Sequence, residues 1–176
     1  VSDPYLFQFD SFDDDVAGSL TSLISRVDTV ILGRVGYLDW YGYWPTATAD
    51  KEFADFINGA TKYVASRTLD PADISWSNAS LIEGDMLEFV KRLKSQGDGG
   101  EIAVMGSLSV ARQLLQAGLL DSLQFVIHPA LAAKGRRFFE DGDPMFRLEL
   151  KELVRTRKGN VLVTYGPRVE QEEATN

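Results

Sequence analysis

The feature that most constrains this chain is a rhythm running from its first helix to Gly118: a short apolar run, a corner of small or polar residues, then apolar residues at helical spacing. The clearest instance is Glu101 to Gly118, EIAVMGSLSVARQLLQAG. Ile102, Val104 and Met105 read as a strand, and Leu108, Ala111, Leu114 and Leu115 recur every three or four residues until Gly118 stops the helix. Between them sits the corner Gly106-Ser107. Glycine there admits close approach of a ligand, and the first N–H groups of the helix suit a phosphate. Strand-to-helix corners also carry Gly and Ser for the turn and the N-cap alone, so the corner by itself leaves both readings open.

The same rhythm organises the rest. Val1 to Asp10 reads as an opening loop with partly buried Tyr5, Phe7 and Phe9; Ser11 is the expected cap of a helix whose Phe12, Val16, Leu20, Leu23, Ile24 and Val27 share a face. Asp13, Asp14 and Asp15 fit the favoured negative charge of that first turn better than a metal or acid site. Strands are predicted at Thr29 to Leu32, Lys62 to Ala65 and Ser80 to Ile82. Between the first two lie YLDWYGYWP, whose rings either fill core or wall a pocket, and a helix with Asp50 as its cap and Gly59 as its stop. A further helix opens at Gly84-Asp85 with Glu88 at the capping-box position. After Gly118, Leu123, Phe125 and Ile127 alternate up to Pro129, and the alternations around Leu148 and Val163 form an antiparallel hairpin about Lys158-Gly159-Asn160. His128, the one histidine, reads as an ordinary packed side chain at a strand end rather than an acid/base group.

The expectation is therefore one α/β domain over residues 1–168, a doubly wound, mainly parallel sheet with helices on both faces and a C-terminal antiparallel hairpin, followed by a disordered polar tail at 169–176. Composition narrows the function. A net charge of −8 with no basic cluster argues against nucleic acid; no apolar run is long enough to span a membrane. With no cysteine and a single histidine, thiolate and multi-histidine metal sites are excluded, and a cytoplasmic setting fits. The chain opens on Val rather than Met, so it is expected to start inside a longer reading frame.

In a parallel sheet, ligands gather at the C-terminal ends of the strands. Three such ends carry anion-compatible residues: Gly33-Arg34, Ser66-Arg67-Thr68 and Gly106-Ser107. Each is weak singly, since a surface turn explains an exposed Arg just as well. On one sheet edge they would suit a ligand with several phosphates.

In order and spacing, ILGRVGY, KYVASRTL, LIEGD before a helix, EIAVMGSLSVARQLLQAGLLDSLQFVIHPAL and GRRFFEDG resemble the reductase-type domain of the dihydrofolate reductase superfamily found at the C-terminus of the bifunctional riboflavin-biosynthesis deaminase/reductase. The resemblance spans about Val1 to Tyr165 and fits a stand-alone form. It implies NADPH as cofactor, a small heterocyclic or carbonyl substrate, an activity like that of 5-amino-6-(5-phosphoribosylamino)uracil reductase, and a homodimer for which the apolar late strands offer a surface. A non-catalytic binding or dimerisation module on the same fold is the alternative. Carried over by motif, Gly33, Arg34 and Val35 meet the cofactor phosphates, and Ser66, Arg67 and Thr68 meet the adenosine end with its 2′-phosphate. Gly106, Ser107, Leu108 and Ser109 meet the pyrophosphate; Trp40 and Phe12 are candidate walls of the substrate pocket, and no catalytic group is assigned. Three departures stand out: Gly36 where the family usually has Thr, Leu131-Ala132-Ala133-Lys134-Gly135 in place of Leu-Gly-x-Gly, and no counterpart of the family's opening strand and Leu-Asp-Gly loop.

Overall fold

The structure, a computed structural model, describes residues 7–97, 99–132 and 135–168. Tyr5, the polar tail and, within the Leu131–Gly135 departure, Ala133 and Lys134 lie outside them. The chain groups into two compact units, one formed by Gly18–Leu119 and the other by the residues up to Ala17 together with those from Leu120 onward.

The first unit holds four parallel strands, β1 (Val27–Gly33), β2 (Thr61–Ala65), β3 (Ala79–Leu81) and β4 (Glu101–Met105), in the order β3-β2-β1-β4. β1 is central and reads accordingly: Val30, Ile31 and Leu32 are fully buried, as expected of a strand covered on both faces. Around the sheet run α3 (Arg34–Tyr41), α4 (Lys51–Gly59), α5 (Met86–Gln96) and α6 (Leu108–Gln116). Succession from β1 to β3 proceeds outward on one side, and β4 then returns to the opposite flank of β1. That reversal is a topological switch point, located between β1 and β4.

The aromatic segment is core only in part: Trp40 and Trp44 are half-buried, and Tyr41 and Tyr43 are exposed. Tyr37 on α3 is fully buried; its hydroxyl accepts the backbone N–H groups of Ser75 (3.0 Å) and Trp76 (3.3 Å). Trp76 Nε1 donates to Asn58 Oδ1 at 2.8 Å, and Asn58 Nδ2 donates to the Trp44 carbonyl at 2.9 Å, so α4 is bolted to both neighbouring loops. Asp50 caps α4 differently from the expectation. It sits in the left-handed region at φ 49° and offers its backbone carbonyl to Ala54, without a side-chain cap. Asp85 does cap α5, accepting the Glu88 N–H at 3.0 Å.

The second unit contains α1 (Gln8–Ser11), the start of α2 (Asp14–Ile24), and a three-stranded antiparallel sheet of β5 (Leu123–Ile127), β6 (Leu148–Arg155) and β7 (Val161–Pro167), ordered β5-β7-β6. The hairpin is as expected, with β5 recruited to β7 as a third strand. Ser11 is not the cap of α2: it ends α1 and is buried, while Asp13 Oδ1 accepts the Val16 N–H at 3.0 Å. The acidic trio also grips the β6–β7 turn. Asp13 Oδ2 accepts the Lys158 N–H at 2.8 Å, and Asp15 Oδ2 accepts the N–H (2.9 Å) and Nε (3.2 Å) of Arg157. The Arg157 guanidinium accordingly holds the Asp15 carboxyl below the usual carboxylate range. Ser11 Oγ and His128 Nδ1 are 2.8 Å apart, and Phe7 meets the imidazole edge-on, so the one histidine is packed as the sequence suggested. Among the described residues no helix is long and apolar enough to cross a membrane.

Candidate functional site at the strand ends of the parallel sheet

All three sequence-flagged loops leave the same rim. Because β1, β2 and β4 are parallel, with Gly33 level with Ala65 and Leu32 level with Met105, the chain exits each strand at the same height. The β2 and β4 exits flank the β1 exit at about 5 Å on either side, the spacing of adjacent strands. Ten predicted cofactor residues therefore fall on one edge of one unit: Gly33, Arg34 and Val35 in the centre, Ser66, Arg67 and Thr68 on one flank, and Gly106, Ser107, Leu108 and Ser109 on the other.

Glycine lets the central and outer loops meet. A Cβ on Gly36 would stand 2.8 Å from the Gly106 carbonyl oxygen and 3.3 Å from its carbon, and one on Gly33 would stand 2.5 Å from Ser107 Oγ. Neither backbone has room for a side chain, so the first turn of α3 lies directly against the corner before α6. Gly106 itself holds φ 64°, a conformation that glycine adopts without penalty. The Gly36 departure thus has a packing reason: a threonine hydroxyl here would require the α3 start to move off Gly106.

The polar groups on this rim divide by whether they are already in use. Ser66 Oγ accepts the N–H groups of Thr68 and Leu69, each at 3.1 Å, which folds the loop into a turn and leaves Arg67 and Thr68 exposed. Ser107 caps α6 with a long bond from the Val110 N–H, 3.4 Å, and lies 3.4 Å from Ser109 Oγ. At α3, by contrast, the N-cap is Gly33 and supplies no side-chain acceptor to the first N–H groups. Arg34 and Arg67 are exposed, and neither has a hydrogen bond or ion pair among the described residues. Two guanidiniums without a described partner, short hydroxyl side chains and the N-terminal turns of α3 and α6 form a donor-rich rim that fits a polyphosphate.

The two candidate walls of the substrate pocket fare differently. Trp40 is half-buried, its indole 3.5 Å from where a Gly106 Cβ would be, and its ring meets Phe53 and Trp44 edge-on at 5.7 and 6.4 Å between centroids. It therefore buttresses the Gly106 corner from the core side. Phe12, 39% exposed, belongs to the other compact unit and is not among the residues that the parallel sheet brings together.

Sequence reasoning passed over Lys62. On β2 it is fully buried, and Nζ donates to the carbonyls of Ala60 (2.7 Å) and Ile57 (2.8 Å) at the end of α4, 4.8 Å from the centroid of the Trp76 ring. Burial lowers its pKa to about 8. Only its place beside Tyr63 and Val64 in an apolar run signalled this.

The fold is that of a doubly wound α/β protein of the dihydrofolate reductase-like type. The family model for the RibD C-terminal domain matches residues 18–162, and the chain belongs to that family. It is 28% identical over 148 residues to the uncharacterized protein YyaP of Bacillus subtilis (strain 168), covering 82% of this chain and 77% of that one. Among solved structures, one from Shewanella sp. PV-4, provisionally named a riboflavin biosynthesis protein, superposes with TM-score 0.66 at 17% identity, over 84% of this chain and 78% of that chain. RibD of Acinetobacter baumannii superposes with TM-score 0.62 at 12% identity over 89% of this chain, which matches 51% of that longer one. Both likenesses bear out the fold.

Proposed function

We propose that this protein is an NADPH-dependent reductase of a small heterocyclic or carbonyl substrate, a relative in function of the riboflavin-biosynthesis reductases. The observation that carries this reading is the common rim on which Arg34 and Arg67, exposed and with no hydrogen bond or ion pair among the described residues, follow the adjacent strands β1 and β2 beside the switch point. NADPH, when bound, supplies the hydride. The protein supplies position and charge. The first N–H groups of α3, from Arg34 and Val35, and those of α6, from Leu108 and Ser109, face the pyrophosphate; Gly33, Gly36 and Gly106 keep these two helix starts close enough to share it. The turn tied by Ser66 projects Arg67 as a planar, charge-assisted donor for the 2′-phosphate, with Thr68 beside it.

Thermal denaturation with each nicotinamide nucleotide tests the assignment. Saturating NADPH at about a hundred times its dissociation constant stabilises by about 2.7 kcal/mol, a rise of several degrees, while NADH gives less. Arg67→Ala lowers NADPH affinity by about tenfold or more and leaves NADH unchanged. Equal shifts with both nucleotides would remove the role of Arg67, and no shift with either would leave the chain as a non-catalytic member of its fold.

A further inference from the structure

Asn58–Gly59, at the end of α4, is the one Asn-Gly step in the chain. Such a step carries its own nucleophile. Once the Gly59 N–H gives its proton to hydroxide, that nitrogen attacks Cγ of Asn58; the Cγ–Nδ2 bond breaks, ammonia leaves with a proton taken from water, and a five-membered imide remains. Water then opens either carbonyl–nitrogen bond of the imide. One opening gives aspartate, and the other gives isoaspartate, in which the main chain runs through the side-chain carbon. Glycine is the following residue that obstructs this attack least, because it has no Cβ. The fold itself asks for no glycine here. Gly59 is the last helical residue of α4 rather than a left-handed stop, and a Cβ on it would meet nothing within 4 Å. Within a helix it is a poorer choice than alanine.

What holds the reaction off is the set of bonds around Asn58. Its amide is gripped at both atoms: Nδ2 donates to the Trp44 carbonyl at 2.9 Å, and Oδ1 accepts Nε1–H of the buried Trp76 at 2.8 Å. The side chain therefore cannot swing toward the Gly59 nitrogen. The backbone is held as well. Ala60 N–H closes the last turn of α4 onto the Phe56 carbonyl at 2.8 Å, and Asn78 Nδ2 donates to the carbonyls of Asn58 (3.3 Å) and Gly59 (3.2 Å). We propose that Asn58–Gly59 is a latent site of self-modification, closed while the end of α4 is seated and converting to aspartate or isoaspartate when that end opens. The product does not seat again as before. A carboxylate at position 58 still accepts from Trp76 but has no donor for the Trp44 carbonyl, and isoaspartate adds a main-chain carbon among the Ile57, Asn58 and Ala60 carbonyls that hold Lys62 Nζ. Each opening that reacts is thus recorded as a permanent change.

Peptide mapping by mass spectrometry, on the whole chain held at mildly alkaline pH, tests this. Asn58 in the folded protein converts at least about a hundredfold more slowly than in the chain unfolded by guanidinium at the same pH. Trp76→Phe deletes the Nε1 donor and keeps a ring; Asn78→Gly keeps the left-handed backbone at φ 58° and deletes the clamp on the two carbonyls. Each speeds the folded-state reaction by about fivefold, the loss of one hydrogen bond. Gly59→Ala suppresses conversion in the unfolded chain without lowering the melting temperature, and Asn58→Asp melts about 3 °C lower than the original. Circular dichroism confirms that the variants are folded, and Asn78→Gly, which alters no core residue, carries the test should Trp76→Phe not fold. Equal rates in folded and unfolded protein, an Asn58 that stays intact in the unfolded chain, or unchanged rates in the folded variants would each overturn the proposal.

Discussion

Lys62 gives the sharpest prediction because its behaviour runs against intuition for a lysine. Burial lowers its pKa to about 8 in the folded protein, against about 10.5 in the unfolded chain. Between those values the unfolded state binds a proton that the native state has released, so stability rises with pH across that window. The contribution is about 2 kcal/mol by about pH 9.5 and approaches a ceiling of about 3 kcal/mol. The geometry permits it. A neutral amine has two N–H groups, enough for the short bonds to the Ala60 and Ile57 carbonyls, and only the 3.4 Å contact to the Asn58 carbonyl is given up. Lys62→Met removes the titration while keeping an unbranched apolar stem. Urea denaturation of both proteins from about pH 7 to about pH 10 isolates the term, because every other titrating group cancels in the difference. The original protein should gain about 1 M in urea midpoint over the variant across that range. Parallel curves would show that the amine does not titrate there. A gain for the variant would show that the α4 carbonyls and the Trp76 face hold the ammonium charged.

The rim offers two further tests. Gly36→Ala gains about 1 kcal/mol in helix propensity but drives its Cβ to 2.8 Å from the Gly106 carbonyl oxygen, a rigid backbone atom. A net loss of about 1–2 kcal/mol is expected, read as a fall of about 5 °C in melting temperature, and a rise would show that the two helix starts have slack. Trp40→Ala should destabilise the protein by about 2–3 kcal/mol with no ligand present, because the ring braces Gly106 against Phe53 and Trp44. An unchanged melting temperature with altered substrate affinity would instead make Trp40 a pocket wall.

What could be read ahead of the structure follows from the range of the interactions involved. Gly33-Arg34, Ser66-Arg67-Thr68 and Gly106-Ser107 were legible because each is a local punctuation mark at the end of an apolar run, and parallel topology then carries all three to one edge. Leu123, Phe125 and Ile127 alternate plainly, but that β5 joins β7 depends on a contact some forty residues away that no window reveals. The choice between Ser11 and Asp13 as the cap of α2 turned on what the other side chain could do. Ser11 is drawn to His128 and Asp13 to the hairpin turn, and both partners lie more than a hundred residues downstream. Lys62 was hidden for the same reason: a lysine after a threonine reads as solvated until a helix end supplies the carbonyls that accept its hydrogen bonds.

The departure at Gly36 bears most on how this site is built. Had the rim been an independent loop cluster resting on a finished sheet, the loss of a threonine hydroxyl would remove one contact and nothing else. Instead the absence of a side chain at Gly36 is what seats α3 on the Gly106 corner, and Trp40, one helical turn further along α3, presses the same corner from behind. One helix thus sets both the height of the α3 donors and the position of the turn that starts α6. If the rim holds phosphate as proposed, substitutions at Gly33, Gly36, Trp40 or Gly106 must alter folding stability and phosphate binding together, with no variant in this group separating the two. Arg34 and Arg67, which make no hydrogen bond or ion pair among the described residues, are on the proposed reading the positions where affinity changes while stability stays constant. A set of variants that splits along that line, coupled losses at the four packed positions and binding losses alone at the two arginines, would establish that the phosphate cradle is a consequence of how the two βα corners pack.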